Sequence, residues 1–147
     1  MEIEQNIADY DRRSTVERLF AASGIATIVG RVSVVAYFDP SASHFFPVCP
    51  LYALTGIACP GCGLTRGYHA LFHGDVATAM HFNALIPLYS LLFGYLLVSL
   101  VLLAVRGEGL SFAAFQKPWV LWSVMVLALA FAVLRNLPFY PFNFLYP

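Results

Sequence analysis

ALIPLYSLLFGYLLVSLVLLAV, residues 84–105, runs for 22 positions without a charged side chain. As a helix it is about 33 Å long at 1.5 Å per residue. That matches the roughly 30 Å of a bilayer's hydrocarbon core. Every backbone N–H and C=O in such a segment must be paired internally, so it reads as a transmembrane helix. Two further stretches have the same character. One runs from Leu19 to Phe38 and ends at Asp39-Pro40. The other begins at Pro118, after Lys117, and reaches the region of Arg135.

Composition points the same way. The 147 residues are 60% hydrophobic and 11% charged, against about 25% charged in soluble domains. Mean hydropathy is +0.74. Eight basic and eight acidic residues cancel, so the chain has no basic footprint for nucleic acid. Three spans are expected, at about 19–38, 84–105 and 118–137. Residues 1–18 form a polar segment, and 19–147 form one membrane domain. Ser14-Thr15-Val16-Glu17 has the form of a capping box and predicts a helix start there. Eighteen mixed-charge residues ahead of a span-length stretch do not resemble a secretory signal, so the first span is expected to remain as an anchor.

Lys and Arg set the orientation. Arg12, Arg13, Arg18, Arg106 and Lys117 lie on one side of this scheme, and Arg66 and Arg135 on the other. The N-terminus is therefore expected in the cytoplasm, with the first loop and the tail outside. Arg135 is expected to snorkel from the end of span three. The aromatic tail FYPFNFLYP, 139–147, reads as an interfacial anchor. Arg31 lies inside span one, where a charge must snorkel or pair. Asp75 is its candidate partner.

The loop 39–83 is unlike the spans. Positions 40–65 carry no charge but hold Pro40, Pro47, Pro50, Gly56, Pro60, Gly61 and Gly63, which oppose a continuous helix. The loop therefore predicts a re-entrant or interfacial hairpin containing the cysteines. Short amphipathic helices should follow. Leu64, Tyr68, Leu71 and Phe72 share one helical face, and Arg66, His69 and His73 share the other. Gly74 suits the end of that helix, and Asp75 the cap of the next, which runs through His81. The fold class expected is an all-α membrane protein: three transmembrane helices, with this hairpin and its short helices between spans one and two.

Three cysteines fall in the loop: Cys49, Cys59 and Cys62. Three chemistries fit them. One is a structural disulfide or a buried turn. Another is a redox-active or partner-linking thiol. The last is a metal site, zinc or another ion, with candidate ligands Cys59, Cys62, His69 and His73, or the three cysteines plus a histidine. Cys62 precedes the helix, with Arg66 one turn on. Both features should make it the most acidic thiol unless burial opposes them. Arg66 could equally meet lipid phosphate, and Thr65 could shape the helix entry. No serine–histidine–carboxylate set and no phosphate loop is visible, and an enzymatic role is not favoured.

The stretch CPLYALTGIACPGCGLTRGYHALFHGDVATAMHFN, residues 49–83, resembles a family of small bacterial multi-pass membrane proteins grouped as domain of unknown function 2752. Its pattern is matched at Cys49, Pro50, Cys59, Pro60, Gly61, Cys62, Gly63, Thr65, Arg66, Gly74, Asp75 and Asn83, whereas Ala84 stands where proline is usual. The resemblance implies a bacterial inner-membrane protein and supplies no reaction. The functional expectation is a non-enzymatic scaffold or accessory subunit in the lipid bilayer, whose CPGCGLTR hairpin serves structure or a membrane-protein partner. The alternative is a thiol-disulfide or metal-handling protein acting through Cys49, Cys59 and Cys62.

Overall fold

The computed structural model describes residues 2–43, 46–111 and 117–139, with side chains from Thr15 onward. His44 and most of the aromatic tail lie outside these. The fold is all-α, with no strand among the described residues. Its helices are α1 (Glu2–Tyr37), α2 (Pro50–Thr55), α3 (Leu64–Phe72), α4 (Val76–Phe82), α5 (Ile86–Arg106) and α6 (Pro118–Arg135).

Three stretches are long and apolar enough to cross a membrane: Thr15–Tyr37 within α1, Ile86–Arg106 and Pro118–Arg135. Their large side chains are mostly exposed, among them Leu19, Phe20, Leu91, Val105, Trp119 and Trp122. Apolar surface of that kind would be costly in water and is at home in lipid.

α1 runs through the expected start at Ser14 and begins at Glu2. The segment before Ser14 holds helix-compatible residues such as Glu, Gln, Ala and Arg, and no proline or glycine. A capping box there competes with a helix that has no reason to stop.

The chain divides into two compact units. In the first, residues 1–31 and 91–111, the segment after α5 turns back on its own helix. Gly107 takes φ +79° and its N–H reaches the Leu103 carbonyl, an ending that favours glycine. The buried Ser99 hydroxyl accepts the Leu110 N–H at 3.0 Å, and Tyr95 donates to the Ser111 carbonyl at 2.7 Å. Arg31 is exposed on α1.

The second unit, residues 32–90 and 112–147, holds the cysteine loop. α2 lies within the expected hairpin, started by Pro50 and ended by Gly56 at φ +71°. α3 and α4 form a tight helical pair. Gly74, at φ +82°, makes the turn between them, and the Asp75 carboxylate accepts the Thr78 N–H at 3.0 Å to cap α4. The Thr78 hydroxyl, then its N–H, holds the Asp75 carboxyl below its ordinary value. Gly67 is where the two helices touch. A Cβ there would run into the Ile86 side chain and lie 3.1 Å from the Ala79 carbonyl oxygen.

Candidate thiol centre

Cys49, Cys59 and Cys62 converge. Cys49 Sγ lies 3.4 Å from Cys59 Sγ, and Cys59 Sγ lies 3.0 Å from Cys62 Sγ. All three sulfurs are within 4.8 Å of one another, and none is in a disulfide. Among the described residues they form the one cluster of three or more metal-ligand side chains.

Local sequence explains the convergence. Pro60-Gly61 allows a tight turn in which the Cys62 N–H donates to the Cys59 carbonyl at 3.0 Å. The Cys59 N–H donates back to Cys62 Sγ at 3.2 Å. Gly63 then takes φ +79° to enter α3. Cys49 arrives separately, at the N-cap of α2.

The turn is held from behind by side chains far along the chain. Asn83 is fully buried and donates from Nδ2 to the carbonyls of Pro60 at 2.8 Å and Cys62 at 3.1 Å. Its Oδ1 accepts the Leu85 N–H. Arg135, also fully buried, donates to the carbonyls of Cys59 at 2.9 Å, Cys62 at 3.0 Å and Phe82 at 3.3 Å. Its guanidinium lies over the Phe131 ring, 4.9 Å from the centroid. Asn136 pairs with both backbone groups of Ala58, at 2.8 and 2.9 Å. Arg135 therefore does not snorkel. The carbonyls of a non-helical turn need donors when buried, and α6 ends where its last side chains supply them. Asn136 was not anticipated as a site residue. Its one sequence signal is an amide directly after Arg135.

The thiols differ from the sequence expectation. Burial, followed by the neighbouring Cys59 thiol, pushes Cys62 up to about 12 from an ordinary 9.0. Arg66 does not tune it. The Arg66 guanidinium lies over the Phe82 ring, 5.4 Å from the centroid, and the Cys62 sulfur turns back toward Cys59. The helix-terminus effect falls on Cys49 instead. Its sulfur makes no closed capping bond, but the Tyr52 N–H, then the Cys59 thiol, hold it below its ordinary value.

The remaining candidates are dispersed. His69 Nδ1 donates to the Val35 carbonyl at 2.7 Å, satisfying one of the last carbonyls of α1. His73 Nδ1 donates to the His69 carbonyl at 2.9 Å. Neither histidine belongs to the thiol cluster. Thr65 is exposed in the first turn of α3.

Beside the thiols lies a cavity of about 190 Å³, whose lining includes Cys49, Cys62, Tyr52, Thr65 and Arg66 together with the apolar Phe46, Pro47 and Val48.

Three helices of membrane-spanning length and a three-thiol cluster on the loop between the first two define a multi-span membrane protein with a cysteine centre. Residues 49–97 match the family described as protein of unknown function (DUF2752), the family that the loop resembles. The match covers all three cysteines, α2, α3, α4 and the first half of α5. Neither the curated proteins nor the solved structures give a match to this chain.

Proposed function

We propose that this membrane protein binds a thiophilic metal ion, zinc foremost, through Cys49, Cys59 and Cys62. The observation that carries the reading is the mutual approach of three sulfurs within 4.8 Å. A disulfide uses two sulfurs and leaves the third unexplained. Zinc–thiolate bonds of about 2.3 Å at tetrahedral angles put sulfurs about 3.8 Å apart, wider than the 3.0 and 3.4 Å of two pairs and inside the 4.8 Å that bounds all three. Soft thiolates select d¹⁰ ions such as Zn²⁺ and Cu⁺. A cation among the sulfurs would also offset the burial and the neighbouring thiol that disfavour ionised Cys62. Three protein ligands leave a fourth position open, the pattern of sites that exchange or act on a ligand. The proposed setting is a bacterial inner membrane, with the N-terminus in the cytoplasm and the thiol loop outside.

The test is elemental analysis of protein purified in mild detergent without chelator. About one equivalent of metal is expected, lost in Cys49→Ser, Cys59→Ser and Cys62→Ser, and protecting the thiols from alkylation until a chelator is added. Metal content in the wild type no higher than in the triple variant would sink the reading. Copper in place of zinc would keep the site and change its ion.

The clamp from Arg135, Asn83 and Asn136 favours a second reading, a non-enzymatic scaffold. In it, the same clamp makes the CPGCGLTR hairpin a rigid surface for a membrane partner. A crosslinker placed at Thr65 should then capture one partner, and capture should survive in the metal-free triple serine variant.

A further inference from the structure

The cavity beside the thiols gives the metal site a substrate class. We propose that the open fourth position on the ion takes the sulfur of a small thiol carboxylate, with Arg66 binding its carboxylate. The inference rests on the metal reading above. Cys49 and Cys62 are the two metal-ligand residues that border the cavity, so an ion held by the cluster would be approached from that side. A thiophilic ion prefers a sulfur donor. Arg66 borders the same cavity. Its guanidinium lies over the Phe82 ring, and a guanidinium takes a carboxylate in its own plane through two parallel bonds. About 190 Å³ admits a molecule of only a few heavy atoms. The apolar walls of Phe46, Pro47 and Val48 suit a short carbon linker between thiol and acid.

The binding step is an exchange of ligands. The incoming thiol gives up its proton to solvent as its sulfur bonds the ion, and any water there leaves. No electron is transferred. Such a site would pass the ion between protein thiolates and a diffusible thiol.

Cobalt-loaded protein in detergent provides the test, because thiolate–Co²⁺ charge-transfer absorption reports each sulfur bound. Mercaptoacetate and the uncharged 2-mercaptoethanol are titrated at matched thiolate concentration. Mercaptoacetate is expected to bind about tenfold more tightly, the effect of one charge-assisted hydrogen-bonded pair. Arg66→Gln should bring the two thiols to near-equal affinity while cobalt binding itself stays unchanged, and Arg66→Lys should keep part of the preference. Equal affinities in the wild type would overturn the proposal, as would a preference that survives Arg66→Gln or a thiol that strips cobalt without forming a ternary complex. A protein that shows no charge-transfer band before any thiol is added would remove the metal reading and this inference together. A band that is present but indifferent to mercaptoacetate would remove the inference alone.

Discussion

Cys62 and Cys49 share one cluster and are pushed in opposite directions. Burial raises Cys62. The first N–H groups of α2, chiefly that of Tyr52, lower Cys49. Because the thiolate is the nucleophile, metal-free, reduced protein should alkylate at Cys49 well before Cys62 near neutral pH. Peptide mapping of a short reaction reads the order, and Cys62 reacting first would show that burial does not govern. The sign of the pH effect follows from the same shift. A thiol whose folded value lies above its unfolded value contributes full stability below about pH 9, and that contribution falls as pH rises toward 12. Metal-free protein should therefore lose thermal stability over that alkaline range, and Cys62→Ala should flatten the loss. The motif and its three thiols were legible in the sequence, but the order of acidity was not. Helical spacing placed Arg66 one turn after Cys62, yet Cys62 precedes α3, where the helical period does not direct a side chain. Its sulfur returns to the Cys59 N–H, and Arg66 finds the Phe82 ring.

At the scale of elements, the short helices α3 and α4 followed from apolar periodicity and from the signals of Gly74 and Asp75, which are local. The contact that seats α6 on the turn is not local. Arg135 reaches carbonyls 53 to 76 residues away in the chain, and no sequence period reports that. In the sequence it looked like the flank of a span, because a flanking arginine and a buried one follow the same apolar run. Two substitutions test these joints. Arg135→Met should cost on the order of 3 kcal/mol, since it leaves buried carbonyls without their donor. Arg135→Lys, with a single smaller donor head, should recover part of that. Thermal unfolding in detergent measures both, and a neutral Arg135→Met would show that the turn holds without α6. Gly67→Ala should cost about 1–3 kcal/mol through overpacking between α3 and α4. Ile86→Ala in the same chain should relieve part of that cost by removing the side chain the new methyl meets. Additive losses in the double variant would mean that Ile86 is not what Gly67 makes room for.

For the molecule as a whole, the second unit fixes which helix ends share a side of the membrane. His69 of α3 bonds Val35 near the end of α1, Tyr68 meets Ser90 near the start of α5 at 3.1 Å, and Arg135 at the end of α6 bonds the cysteine turn. The end of α1, the start of α5 and the end of α6 therefore lie on the side of the thiols. The start of α5 and the end of α6 share a side only if the chain crosses an even number of times between them, as two spans provide. With three spans, the α5–α6 loop is predicted on the opposite face, with the N-terminus. These contacts relate the ends and leave open which face is cytoplasmic. The charges predict it: Arg12, Arg13, Arg18, Arg106 and Lys117 are expected on the N-terminal side, and Arg66 and Arg135 on the thiol side. Basic residues near span ends are retained in the cytoplasm, so the thiol loop should face outward, where a diffusible thiol from outside the cell membrane can reach the cavity. A reporter active only outside the cytoplasm should work when fused at Gly74 and fail at Gly107, and a cytoplasmic reporter should give the reverse. Cytoplasmic activity at Gly74 with external activity at Gly107 would invert the orientation and leave the three spans intact. Activity of both fusions on the same face would break the three-span arrangement itself.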